Sequence, residues 1–332
     1  MDFEKCRQDV ETELNDKFTD HKMNNNALVE SYKRLGMEER ASKVFWCGSQ
    51  LDFKLPEDYS ATLKLFRANF CKDRLCNMCS WRRTLKIFGQ VSQIMEKLVA
   101  DQYEFLFVTL TIRNCSASEL KQQLDKLQYG FHLFHKQKCV RVAFRGCFKA
   151  FEITRHPEHF KSIEYHPHLH LIIAVKKSYF KGQDYIKHSD LIEIWQNACG
   201  LDYRPQVDIR KIKPEKSDDG ITLAGAVAEV AKYTVKSADV LRGTDAEIDR
   251  AVLTLTEALS SRRLCSFTGV FKKAARELKL DDLTDGDLIN TDNEQLRSDI
   301  AYLIVTYQWQ IGYGYQLTHV RYAEKENDHD CQ

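Results

Sequence analysis

Between residues 103 and 238 the chain alternates strand-like and helix-like patterns in a fixed order, which limits the fold more than any other feature. FLFVTLTI (105–112) is β-branched and alternating, as a strand should be. In the next segment, SASELKQQLDKLQYGFHLF, Leu120, Leu124, Leu127, Phe131 and Phe134 fall on one helical face, and Ser116 and Glu119 have capping-box spacing. GCFKAFEIT (146–154) and HLHLIIAV (168–175) read as two more strands, joined through RHPEHFKSIEYH. SDLIEIWQNAC (189–199) is a short helix ended by Gly200, PQVDIRKI (205–212) is a fourth strand, and TLAGAVAEVAKYTVKSA (222–238) is a further helix. The order β-α-β-β-α-β is the ferredoxin-like pattern, an α+β fold with an antiparallel sheet backed by helices. Residues 1–42 are charged and read as helical, and residues 245–332 read as further helices. The expected division is 1–42, 43–100, 101–244 and 245–332.

The third strand begins with an odd feature, HPHLH. Side chains alternate across a strand, so His168 and His170 share a face and stand roughly 7 Å apart. On the preceding strand Phe148, Ala150, Glu152 and Thr154 share a face, and Glu152 is the only carboxylate inside that run. A carboxylate in a buried strand needs a partner, and a cation would supply it. Two histidines and one carboxylate leave coordination positions open, as a catalytic metal needs. The set tolerates Mg²⁺ or Mn²⁺. A lone histidine on a strand is ordinarily a satisfied core or surface residue, whereas HxH facing a glutamate reads as a metal site. HxH also occurs in metallohydrolases, so the metal alone does not name a reaction. His166 sits at the strand's entry and ranks as a supporting group or a substrate contact.

AEVAKYTVK places Glu229 and Tyr233 one turn apart, with Lys236 three residues further on. By spacing alone, an ordinary helix carrying these residues on its surface is the plainer reading. The chemistry that could use the set is phosphoryl transfer through a covalent intermediate. A tyrosine oxygen would attack a phosphodiester, a lysine would stabilise charge, and a carboxylate would activate the resolving nucleophile.

No run of about 18 apolar residues is present, so no membrane-spanning helix is expected. MDFEKCRQDVETELNDKF is charged and is not a secretory signal, so a cytoplasmic protein is expected. Clustered cysteines in such a protein read as metal ligands rather than disulfides. Cys71, Cys76 and Cys79 give C-x4-C-x2-C, and Cys47 is the candidate fourth ligand of a closed structural zinc site. The alternative is a set of buried free cysteines. Net charge is +1, so DNA binding would have to come from local patches. Arg74, Arg82 and Arg83 beside the cysteines, Arg145 and Lys149, and Lys211 are the candidates for phosphate contacts.

FLFVTLT, YHPHLHLIIAV and EVAKYTVK, in that order, resemble the three motifs of HUH endonucleases. More closely they resemble the single-tyrosine rolling-circle replication initiators of small plasmids in Gram-positive bacteria. The resemblance runs from about Phe45 to Tyr315 and includes FCKDRLCNMCSWRR and FTGVFKKAARELKLDDLTDGDLI. CNMC has Asn77 where such segments often carry proline.

The resemblance implies an HUH nicking core with His168 and His170 as metal ligands and Glu152 as the third by analogy. It makes Tyr233 the nucleophile that nicks one strand at the double-strand origin and stays linked to its 5′ phosphate. Glu229 is then the base for the terminating cleavage, and Thr109 and Thr111 support the site from a neighbouring strand. It further implies Mg²⁺ or Mn²⁺ as cofactor and origin DNA as partner, single-stranded or extruded as a hairpin. A host helicase and polymerase would follow, the polymerase using the freed 3′ hydroxyl as primer. An HUH transposase or a mobilisation relaxase is the nearest alternative, although relaxases often place the tyrosine before the histidines. From another class, a zinc-containing DNA-binding regulator without nicking activity fits the cysteines. A small-molecule metallohydrolase would need more His and Asp ligands.

Overall fold

The computed structural model describes residues 8, 11–12, 14–57, 64–156, 164–213, 221–231, 240–283, 286–289, 291 and 301–323. The chain forms two compact units, one of Met1–Arg82 with Leu288–Gln332 and one of Arg83–Asp287. The two ends of the chain therefore belong to one unit, which no serial division of the sequence expresses.

After two short helical turns, Leu14–Thr19 and Asp20–Met23, the first unit holds α1 (Asn25–Arg34) and α2 (Glu38–Phe45). The turn between them needs a left-handed residue, and Gly36 supplies it at φ +70°. Leu28, Val29 and Tyr32 of α1 and Ala41 and Val44 of α2 are buried, the i, i+3, i+4 stripe of helices packed on a core. Next come β1 (Gln50–Pro56) and β2 (Lys64–Ala68), an antiparallel pair whose register shifts between Asp52 and Phe53. The long helix α3 (Asn77–Ala100) begins in this unit.

The second unit holds β3 (Tyr103–Thr111), α4 (Leu120–Lys136), α5 (Lys138–Ala143), β4 (Gly146–His156) and β5 (Glu164–Lys176). It continues with α6 (His188–Cys199), β6 (Val207–Lys213), β7 (Ile221–Thr222) and α7 (Leu223–Ala231). It ends with α8 (Asp245–Leu259), β8 (Cys265–Phe267) and α9 (Gly269–Glu277). The sheet order is β7-β6-β3-β5-β4-β8. All pairs are antiparallel except β6 with β7. The expected β-α-β-β-α-β succession is present.

The capping-box expectation holds only in part. Glu119 Oε2 accepts from the Ser116 amide at 3.0 Å and from its hydroxyl at 2.6 Å, but in a turn that precedes the helix.

The sheet is covered on both faces. Lys149 and Phe151 face α4, where the Lys149 amine lies over the Phe131 ring, and Phe134 meets Trp195 of α6 at 5.9 Å. On the opposite face Phe105 meets Phe271 of α9 at 6.1 Å, and Phe148 meets Phe267 of β8 at 5.5 Å. Leu169, Leu171, Ile172, Ile173, Ala174 and Val175 of the central strand β5 are all buried. An unbroken apolar run is what a strand buried on both faces requires.

The last segment corrects the sequence reading. Residues 245–259 and 269–277 are helical, but Tyr302–Gln310 and Gly314–Tyr322 are strands β9 and β10. They return to the first unit in the order β10-β9-β1-β2. Leu303, Val305 and Tyr307 pair with Leu55, Phe53 and Leu51. Gly312 at φ +85° and Gly314 at φ +79° make the hairpin turn.

Candidate active site

Strand register assembles the site. Glu152 on β4 lies opposite His168 on β5, and on the other side of β5 Thr111 and Thr109 of β3 lie opposite His168 and His170. Pro167, Leu169 and Leu171 point the other way by the same alternation. The histidine pair therefore enters one face of the sheet while its neighbours pack the other.

Three donor atoms converge. Glu152 Oε2 stands 2.6 Å from His170 Nε2 and 3.3 Å from His168 Nε2. The two Nε2 atoms are 3.1 Å apart. Both rings are fixed from behind: His168 Nδ1 lies 3.1 Å from the His166 carbonyl oxygen, and His170 Nδ1 lies 3.1 Å from Thr109 Oγ1. A carbonyl oxygen can only accept, so His168 Nδ1 carries the proton and its Nε2 presents a lone pair. The same tautomer at His170 makes Thr109 its acceptor. Two imidazole lone pairs and a carboxylate oxygen then face one another in a buried pocket, and only a shared cation or a proton relieves their repulsion. Histidines whose second nitrogen is held by an acceptor are the usual form of metal ligands. The two-histidine, one-carboxylate set fits a divalent ion that keeps coordination positions open.

Burial alone would push the Glu152 carboxyl up. Its close contacts with the His168 and His170 imidazoles outweigh it and hold the group well below the usual carboxylate range. Glu152 is thus ionised, the form in which a carboxylate ligates a cation.

His166 shares this edge, with its ring centroid 5.1 Å from that of His168. Its Nδ1 lies 2.6 Å from Asn114 Oδ1. Asn114 was absent from the sequence reading. Its signal was its place just beyond FLFVTLTI, three residues after Thr111. Thr111 turns to the Gln206 carbonyl, donating at 2.8 Å, and so ties β3 to the approach of β6 rather than touching a histidine.

Glu229 lies half-buried on α7, which packs against β4, β5 and β6. Tyr233 and Lys236 fall outside the described residues. Cys47, Cys71, Cys76 and Cys79 come together in the first unit, their sulfurs all within 4.8 Å of one another.

The expected phosphate contacts separate by burial. Arg145 is exposed, and Arg74 is half-buried. Arg82 and Arg83 are buried, and Arg82 donates to the Leu288 carbonyl at 2.9 Å. Lys149 is 3% exposed, its amine 4.8 Å and 4.9 Å from the Phe131 and Phe151 ring centroids and 2.8 Å from Gln128 Oε1. These three have no surface to offer a phosphate, which corrects the sequence reading. Lys211 is half-buried and paired with Glu104 at 2.9 Å.

A model of the replication protein family matches residues 62–316. A Rep protein from a Bacillus species is 38% identical over 82% of this chain and 91% of its own length. The chain belongs to the replication protein family. A Rep protein of Bacillus amyloliquefaciens is 37% identical over 81% of this chain and 84% of its own. One from Streptococcus pneumoniae is 34% identical over 81% and 82%. No solved structure matches this replication protein. The sequence resemblance to replication initiators is borne out at the level of the family. Among the described residues, no helix is long and apolar enough to cross a membrane.

Proposed function

We propose that this replication protein is a plasmid replication initiator that nicks one strand of its origin through a phosphotyrosine intermediate. The observation that carries the reading is the convergence of Glu152 Oε2, His168 Nε2 and His170 Nε2 on one buried point. Family membership and the order of the three motifs support it.

The Tyr233 oxygen attacks the scissile phosphorus, so an O–P bond forms to the 5′ side and the P–O3′ bond breaks. The phenol proton passes to solvent or a neighbouring base, and the 3′ oxygen leaves as a hydroxyl after taking up a proton. That hydroxyl primes a host polymerase once a host helicase opens the duplex. Glu152, His168 and His170 would hold Mg²⁺ or Mn²⁺, which supplies Lewis-acid polarisation of the phosphate when bound. Thr109 and the His166 backbone keep the two rings turned inward. Lys236 stabilises charge on the phenolate or phosphate. Glu229 activates the nucleophile that resolves the intermediate. The exposed Arg145 is the first candidate for a backbone phosphate contact.

The test is a labelled single-stranded origin oligonucleotide incubated with the protein and Mn²⁺, then run on a denaturing gel. A covalent protein–DNA adduct is expected, lost in Tyr233→Phe and in His170→Ala. Cleavage without an adduct would overturn the tyrosine mechanism. Tight duplex binding with neither cleavage nor adduct would favour a DNA-binding regulator.

A further inference from the structure

The four cysteines of the first unit come from three places in the chain. Cys47 follows α2, Cys71 follows β2, and Cys76 and Cys79 flank the start of α3. Cys47, Cys76 and Cys79 are fully buried. Cys47 and Cys79 sulfurs are 3.5 Å apart, Cys47 and Cys76 3.6 Å, and Cys71 and Cys79 3.7 Å. A disulfide would need about 2.05 Å. A tetrahedral ion with metal–sulfur bonds of about 2.3 Å places its ligands at edges of about 3.8 Å. The cluster therefore has the dimensions of a tetrahedral thiolate cage and not of a cystine pair.

The surroundings point the same way, because each sulfur faces one N–H donor. The Cys71 amide donates to Cys47 at 3.3 Å, the Asp73 amide to Cys71 at 3.4 Å, the Lys72 amide to Cys79 at 3.2 Å and the Asn25 side-chain amide to Cys76 at 3.3 Å. Such donors stabilise thiolates, which only accept. To aim its amide, Lys72 adopts φ +59°, a left-handed conformation that costs a non-glycine residue roughly 1 kcal/mol or more. The buried Lys22 ammonium lies beside the cage, bonded to the Phe45 carbonyl and to the Cys47 carbonyl at 2.9 Å. It offsets the net negative charge that four thiolates leave around a divalent ion.

We propose that Cys47, Cys71, Cys76 and Cys79 hold one Zn²⁺ in a closed, non-catalytic site that fixes the α1–α2 helix pair to the start of α3. The helix pair is gripped at both ends. Asn25, the first residue of α1, donates to Cys76 and accepts from the Asn77 amide at 2.8 Å, while Cys47 closes the end of α2. Between them, Tyr32 donates to Asp73 at 3.2 Å and Arg40 pairs with it at 3.1 Å, within the loop that joins Cys71 to Cys76. Four ligands leave no open position, so the ion orders the backbone and takes no substrate. Binding releases the thiol protons to solvent, and its free energy becomes folding free energy of this unit.

The test uses the full chain and no DNA, so its failure and that of the nicking reading are separate. Protein purified without metal-affinity resin is expected to contain about one zinc per chain by elemental analysis. Replacement by Co²⁺ should give the strong thiolate-to-metal absorption of a tetrahedral sulfur site. Cys76→Ser should lose the metal. If that variant does not fold, Asn25→Ala supplies the second readout, keeping zinc but releasing it to a chelator several-fold faster. Hydrogen exchange after metal removal should show lost protection in segments 22–53 and 64–82 and retained protection in the strands of segments 103–111, 146–156 and 164–176. A folded, exchange-protected chain with no metal, a chain that carries iron there, or unchanged exchange after zinc removal would overturn the proposal.

Discussion

Thr109 Oγ1 lies 3.1 Å from His170 Nδ1, across the register that pairs these two residues on β3 and β5. His170 Nε2 on the far side of the ring lies 2.6 Å from Glu152. One hydroxyl thus sets the ring nitrogen that faces the carboxylate. The chain of contacts runs across three adjacent strands, so the geometry of the donor cluster belongs to the sheet and not to a loop.

Thr109→Val keeps the shape of the side chain and removes the acceptor. Divalent-metal affinity is expected to fall by about 10–100-fold, the usual scale for a partner that orients a metal-bound histidine. Titrating Mn²⁺ against adduct formation measures it, and saturating Mn²⁺ should recover most of the rate. Thr109→Ser should behave close to the parent. Equal losses in both variants, unrelieved by metal, would mean that Thr109 only packs.

Glu229→Ala separates the two halves of the proposed reaction. The variant should form the adduct at near the parental rate while its resolution slows by about 10²–10⁴-fold, the range for a general base. Following adduct formation and decay on one gel series gives both numbers. A matched loss of adduct formation would place Glu229 in the first step instead.

Much of this was legible because it is local. The β-α-β-β-α-β order follows from hydrophobic period within short windows, and the shared face of His168 and His170 follows from a period of two. The adjacency of Glu152 needed only that two neighbouring strands pair. The β9–β10 hairpin was not legible in that way. Its partner β1 lies some 250 residues earlier in the chain, and the buried Val305 and Tyr307 lie opposite Phe53 and Leu51 through that distant pairing. Lys149 is a different kind of miss. It alternates with Phe148 and Ala150 and shares the face of Phe151, so the period placed it under α4, while its charge suggested the surface. Asn25 and Lys22 around the cysteines had no signal at all, because polar residues near a helix start are ordinary there.

Gly130 of α4 lies against Cys199 of α6. A Cβ at this position would stand 2.2 Å from Cys199 Sγ. Gly130→Ala gains about 1 kcal/mol of helix propensity but should lose about 1–3 kcal/mol to overpacking, for a net loss. The sulfur is the obstacle, so in a Cys199→Ala background the same substitution should become neutral or stabilising. Urea denaturation of the four proteins closes the cycle. A loss that persists without the sulfur would place the clash in the backbone.

Lys149 offers a test in which the sign is set by burial. Burial among the rings of Phe131 and Phe151 pushes its amine down to about 8 from an ordinary 10.5. Between those two values the unfolded chain holds a proton that the folded chain lacks, so stability should rise with pH across that window. Below about 8 both states are charged and the full cost of the buried cation is present. Lys149→Met removes that cost. It should stabilise the protein at pH 7, with a ceiling of about 3 kcal/mol at 1.36 kcal/mol per pKa unit, reduced by the ring contacts and the Gln128 bond that are lost with it. It should also flatten the rise between pH 8 and 10. DNA affinity and its salt slope should stay unchanged in this variant, whereas Arg145→Ala should lower both. If Lys149→Met weakens DNA binding and leaves the pH profile of unfolding as it was, the amine reaches phosphate after all, and the burial under α4 does not describe the protein in solution.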